Sequence, residues 1–210
     1  MLYFVRHGST ELNANSPQDP KNYFRGYLEA SLDDLGKQEM QQTADWFKGK
    51  TIDELYSCPL TRTKESMLII AKTNDISNWR LDPGLITWNT GVYAGHEVTK
   101  ELLDSLLLLQ RVHRDEKIPQ GESYNDFLDH WGVALKKYIE RSKTKDIVLI
   151  SHHWNALAVP VILRGMKPEA EGPPENAGVI RIYSDGFIRE LFTPPATLEA
   201  QKSAKGEDRL

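Results

Sequence analysis

The chain has 210 residues, of which 40% are hydrophobic and 27% charged, enough for one compact domain with a real core. Thirty acidic side chains against 26 basic ones give a formal net charge of −4, which excludes a general polyanion binder because that affinity rests on excess Lys and Arg. The single cysteine, Cys58, excludes an intrachain disulfide and suits a reducing compartment.

Residues 2–5 form an apolar run that stops at Arg6-His7-Gly8, the pattern of a buried strand feeding a functional loop. Arg6 also arrives too early for a secretory h-region, so a soluble, cytoplasmic protein is expected. Residues 9–30 are polar and punctuated, which predicts a long loop. Leu35, Met40, Ala44 and Phe47 share one helical face over residues 32–47, with Asp33 and Asp34 favourable near its start. A second strand is expected at 52–56 and a helix at 63–71. Residues 74–95 lack a clear period and contain Pro83, Gly84, Gly91 and Gly95, so they read as irregular.

Helical patterns resume at 97–111 and 123–141. The leucines at 106–109 are far too few to cross a bilayer and are expected to pack on the core or cover a pocket. Residues 147–150 are the strongest buried-strand signal, and they end at Ser151-His152-His153. A helix over 156–163 follows, with Pro160 expected in its first turns, where proline is tolerated. Residues 179–183 and 187–192 flank Ser184-Asp185-Gly186, a hairpin pattern. The domain is expected to span 1–193, followed by a polar, frayed tail over 194–210. Strands alternating with helices predict an α/β fold, a three-layer α/β/α sandwich around a mostly parallel sheet, with ligands at the carboxyl ends of the strands. Both the first strand and the 147–150 strand end in histidine.

Histidine directly after arginine, at a strand end beside glycine, has a definite chemical use. Neutral imidazole can attack phosphorus and hold a phosphoryl group on nitrogen. Arginine forks stabilise the charge on that group, and glycine lets the backbone come close to it. A metal site built from His152 and His153 is not expected, because adjacent residues do not face the same way and no carboxylates cluster with them.

Arg6-His7-Gly8-Ser9-Thr10-Glu11-Leu12-Asn13 resembles the signature of the histidine phosphatase superfamily, the phosphoglycerate mutase-like fold. Arg25-Gly26-Tyr27, the run from Leu32 to Gln38, Ser57-Cys58-Pro59-Leu60-Thr61-Arg62, Gly121-Glu122-Ser123 and Ser151-His152 are similar to later family segments, in the same order. The resemblance implies His7 as the nucleophile that becomes phosphohistidine. Arg6, Arg62 and His152 would form the phosphate pocket, with Gly8 and Asn13 as further phosphate contacts. Arg25 stands where the family segment approaches substrate and is a candidate for a second anionic group. The implied partner is a small phosphorylated molecule or a phosphoprotein, without nucleic acid, membrane, metal or organic cofactor.

One position departs from the family. Aligned on Leu85 and Gly91, the glutamate that protonates the leaving oxygen is replaced by Thr87. The substitutes expected for it are Glu97, His96 and His153, in that order, although Glu97 also reads as a first-turn carboxylate favoured by the helix dipole. The function implied is therefore a phosphatase with an atypical or absent general acid. A silent phospholigand-binding protein and a mutase-type phosphotransferase are the alternatives. The residues around 16–23 read as an insertion before Arg25.

Overall fold

The computed structural model describes residues 1–13, 22–169 and 172–205. An unbroken apolar strand is stable only where helices cover both faces of its sheet, and β1 (Leu2–Arg6) shows both layers at once. Its Leu2 and Phe4 pack with Tyr56, Ile147, Leu149 and Ile180 on one face, against Phe127, Trp131, Leu135 and Tyr138 of α4 (Tyr124–Arg141) and Val159 of α5 (His153–Arg164). Its Tyr3 and Val5 face the opposite way with Leu55, Val148 and Ile150. There they meet Met40 and Ala44 of α1 (Asp34–Trp46) and Met67 and Ile70 of α2 (Thr61–Thr73).

Six strands form the sheet, in the order β3-β2-β4-β1-β5-β6. Strands β1, β2 (Glu54–Ser57), β3 (Trp79–Leu81) and β4 (Ile147–Ser151) run parallel to one another, while β5 (Val179–Ile182) pairs antiparallel with β1 and β6 (Ile188–Phe192) antiparallel with β5. The architecture is the expected α/β sandwich. Local chemistry sets the helix starts: Asp33 accepts from the Gly36 N–H at α1, and Ser123 with Asp126 forms a capping box at α4. No described helix is long and apolar enough to cross a membrane.

Several local expectations change. Residues 74–95 are not wholly irregular: they contain β3 and two 3₁₀ turns, Pro83–Leu85 and Gly91–Tyr93. β3 is an edge strand with all three residues exposed, so it has no burial period to read. The stretch expected to fray beyond residue 194 begins with α6 (Pro195–Lys205), which packs on α1 with Ala196 and Thr197 buried. The remainder of that tail, and most of the insertion expected around 16–23, lie outside the described residues. Helix α5 begins at His153, earlier than its apolar pattern suggests, and Pro160 consequently sits in mid-helix. In α3 (Lys100–Arg111) the leucines divide: Leu106 is buried in the core and Leu108 is exposed.

Candidate active site

Strand β4 lies between β1 and β2, so residues just past its carboxyl end meet those of both neighbours. The ladders continue beyond the strands: the His7 N–H donates to Ser151 O at 3.1 Å, and the Cys58 N–H donates to Ile150 O at 3.1 Å. This register brings the His7 and His152 rings to 5.2 Å between centroids, inclined at 65°. On the other side, the Cys58 sulfur lies 3.2 Å from His152 Nε2.

The loop carrying His7 is fastened residue by residue. The Gly8 N–H donates to Ser66 Oγ, the Ser9 N–H to Glu39 Oε2, and the Thr10 N–H to Asn13 Oδ1. Glycine is required here by contact, because α1 starts directly against the loop. A Cβ on Gly36 would stand 2.0 Å from Ser9 O, and one on Gly8 would stand 2.5 Å from Gly36 O. Glu39, Ser66 and Asn176, which donates to Ser9 Oγ, hold the loop although nothing in their local pattern singled them out.

His7 is 2% exposed, and its Nδ1 lies 2.8 Å from Gly8 O. A carbonyl oxygen only accepts, so Nδ1 carries the proton, and in the neutral ring Nε2 keeps its lone pair. Nε2 is the ring nitrogen not engaged by Gly8, and His7 lines a cavity.

That cavity, of about 300 Å³, is lined by Arg6, His7, Arg25, Arg62, His152 and His153 together with Thr87, Thr90 and an apolar wall including Val98, Leu103 and Trp154. Arg62 is fixed by donating to Leu28 O at 2.6 Å and to Gly26 O at 2.9 Å, and Arg6 donates to Pro174 O at 3.3 Å. Burial, then the neighbouring Arg6 and Arg62 charges, hold Arg25 down to about 9; burial likewise lowers Arg62 to about 10. Both remain charged at neutral pH. No Asp or Glu is among the described residues lining the cavity; the carboxylates that act on Arg6 (Glu175, Glu39) and on Arg62 (Glu29) lie outside its lining. Such a site suits an anion.

Thr87 is 3% exposed and lines the cavity. Its segment is held from behind, where Ser151 Oγ donates to Leu85 O, Asn155 Nδ2 to Ile86 O, and the Asn89 N–H to Glu122 Oε1. Glu97 and His96 are exposed and are not among the lining residues, whereas His153 is. The chain turns from strand to helix at His152, the N-cap of α5, so the strand alternation expected to turn His153 away no longer applies. Gly8 and Asn13 support the loop and do not line the cavity; Asn13 Oδ1 accepts from the Thr10 N–H and hydroxyl. Trp88 is fully buried in the core, and Tyr93 packs on Phe24. Among the described residues no group of three His, Cys, Asp or Glu could hold a metal ion.

Burial, followed by the Arg62 charge, holds both His7 and His152 well below the ordinary imidazole range. Two pH effects follow. The unfolded chain, with imidazoles titrating near about 6.5, takes up more protons than the folded one as pH falls, so stability drops below that pH. His7 stays neutral over the same range, so any activity that needs its lone pair has an acid limb below the ordinary histidine value. Urea unfolding and kcat/KM profiles from pH 7.5 to 5.5 test both; a protein that gains stability on acidification over that window contradicts burial of neutral imidazoles.

A sequence model of the histidine phosphatase superfamily (branch 1) matches residues 2–184. The chain is 30% identical over 154 residues to "Probable phosphoglycerate mutase GpmB" of Escherichia fergusonii, covering 72% of this chain and 68% of the relative. Among solved structures, the phosphoglycerate mutase of Bacillus anthracis superposes with a TM-score of 0.71 at 20% identity, over 97% of this chain and 96% of that one. Phosphoserine phosphatase of Entamoeba histolytica, in complex with 3-phosphoglyceric acid, gives 0.69 at 22% identity over 92% and 95%.

Proposed function

This chain belongs to the histidine phosphatase superfamily, and on that premise we propose that it hydrolyses a small phosphorylated substrate through a phosphohistidine on His7. The observation that carries the reading is the His7 ring, tied through Nδ1 to Gly8 O and lining a cavity with Arg6, Arg62 and His152. In the first step Nε2 attacks phosphorus in line, the N–P bond forms and the bond to the leaving oxygen breaks. Arg6, Arg62 and His152 donate to the equatorial oxygens, where charge is spread in the loose transition state. Water then attacks the phosphoryl group, inorganic phosphate departs, and the imidazole is restored. The proton for the leaving oxygen has no carboxylic acid source at Thr87, so the substrates favoured are those whose leaving group departs as a stable anion.

A cavity of about 300 Å³ favours a small molecule over a phosphoprotein. The unpaired, buried Cys58 supports a reducing, cytoplasmic setting. Brief exposure to an aryl phosphate followed by acid-labile phosphate analysis tests the reading. Label on His7 together with release of inorganic phosphate is expected; neither label nor release would leave a silent phospholigand-binding protein. Similarity to proteins named phosphoglycerate mutase supports a second reading, phosphoryl transfer between substrate positions. A phosphoenzyme that returns its label to added acceptor faster than to water would favour it.

Arg25 adds a third guanidinium to the cavity, more than one phosphoryl group needs, and supports a substrate with a second anionic group. Arg25→Gln should lower kcat/KM for a phosphorylated carboxylate about ten-fold more than for phenyl phosphate, the size of one charge-assisted hydrogen bond. Equal losses for the two substrates would assign Arg25 to the phosphoryl group instead.

A further inference from the structure

His152 presents two nitrogens with different surroundings. Nε2 lies 3.2 Å from the Cys58 sulfur, while Nδ1 is buried without a hydrogen-bond partner among the described residues. Cys58 is fully buried and His152 is 3% exposed, so bulk water does not compete freely for either group. The contact is built by the sheet, since β2 and β4 are neighbours and the Cys58 N–H closes on Ile150 O just before both chains turn away.

A neutral imidazole carries one ring proton, which leaves two arrangements for this pair. Either the thiol donates to Nε2 and the ring proton sits on Nδ1, or Nε2–H donates to sulfur and Nδ1 is a bare lone pair. An imidazole nitrogen is a much better acceptor than a thiol sulfur, which is only weakly basic. Burial favours the neutral members on both sides, raising the thiol and lowering the imidazole. His152 lines the cavity with Arg6, Arg25 and Arg62, and in the second arrangement its Nδ1 would have no proton to offer an entering anion.

We propose that Cys58 is a positioning residue whose thiol, by donating to His152 Nε2, holds the ring proton on Nδ1 as the donor to a phosphoryl oxygen. The donor role rests on the phosphatase reading above, whereas the tautomer does not. An adjacent thiol thereby does for His152 what the Gly8 carbonyl does for His7. The two histidines are set in opposite senses, His7 with its lone pair available for attack and His152 with its proton available for binding.

Nitrogen-15 NMR of the ring nitrogens in the phosphate-free protein, with the His152 signals identified by their loss in His152→Asn, reads the tautomer directly. A protonated Nδ1 and an unprotonated Nε2 are expected in the wild-type chain; the reverse assignment overturns the proposal. Cys58→Ala should give mixed tautomers and weaken binding of inorganic phosphate about five- to ten-fold, the range of one neutral hydrogen bond. Cys58→Ser, which keeps a hydroxyl donor, should restore protonated Nδ1. An alanine variant with wild-type tautomer and phosphate affinity also overturns the idea, and if that variant does not fold, the wild-type and serine spectra decide. Absence of turnover with the expected tautomer in place would count against the phosphatase reading alone.

Discussion

His7→Ala should remove essentially all turnover, with kcat/KM for an aryl phosphate falling roughly 10⁴-fold or more, as expected when a covalent nucleophile is deleted. The expectation is large because Arg6, Arg62 and His152 can still bind and polarise a phosphoryl group, yet none of them can take it up in line at the same point. The substitution leaves the backbone ties intact, since the His7 N–H to Ser151 O and the Ala177 N–H to His7 O bonds do not involve the ring. It also deletes a buried imidazole held well below its ordinary range, so the variant should lose less stability than wild type between pH 7.5 and 5.5. Acid-labile phosphate on the protein should disappear with activity. A variant that folds, binds phosphate and still turns over within ten-fold of wild type would falsify the phosphohistidine route.

The second large effect concerns the leaving group. General acid catalysis contributes about 10²–10⁴-fold, roughly 3–5 kcal/mol of barrier. Without a carboxylic acid at Thr87, an alkyl phosphate must expel a strongly basic alkoxide unaided, while a nitrophenyl phosphate expels a stable phenolate. The comparison should be made in kcat/KM, which reports the first phosphoryl transfer; kcat can be masked by slow hydrolysis of a common phosphoenzyme. Nitrophenyl phosphate is expected to exceed a simple alkyl phosphate by about 10²–10⁴-fold. Thr87 lines a cavity of about 300 Å³, which leaves room for a longer side chain, and Thr87→Glu should shrink the gap by accelerating the alkyl ester. A flat wild-type series would mean that a proton is supplied elsewhere. His153, which lines the cavity, would then be the residue to replace, ahead of the exposed Glu97 and His96.

Much of this was readable along the chain. Strands β1 and β4 announce themselves because burial on both faces demands apolar residues at every position, and their abrupt ends at His7 and His152 mark where a ligand can sit. Helices α1 and α4 are legible from Asp33 and Ser123, whose caps involve only residues three positions away. Strand β3 escaped because an exposed edge strand is held by its pairing with β2 and leaves no hydrophobic period. Helix α6 escaped because its partners are distant: the single Thr197 hydroxyl proton has Glu39 Oε1 at 2.9 Å and Asn176 O at 3.1 Å as its acceptors.

The reacting chemistry, histidine beside arginine and threonine in place of an acid, is a matter of residue identity and local order. Which groups share the cavity is not. His153 faces it because a strand becomes a helix at His152, Arg25 enters it from a loop, and Cys58 reaches His152 because β4 inserts between β1 and β2. Residue identity and period report what one segment buries against its own surroundings. Proximity between segments tens of residues apart comes from strand order and register, and those emerge only when all the segments compete to cover the same core.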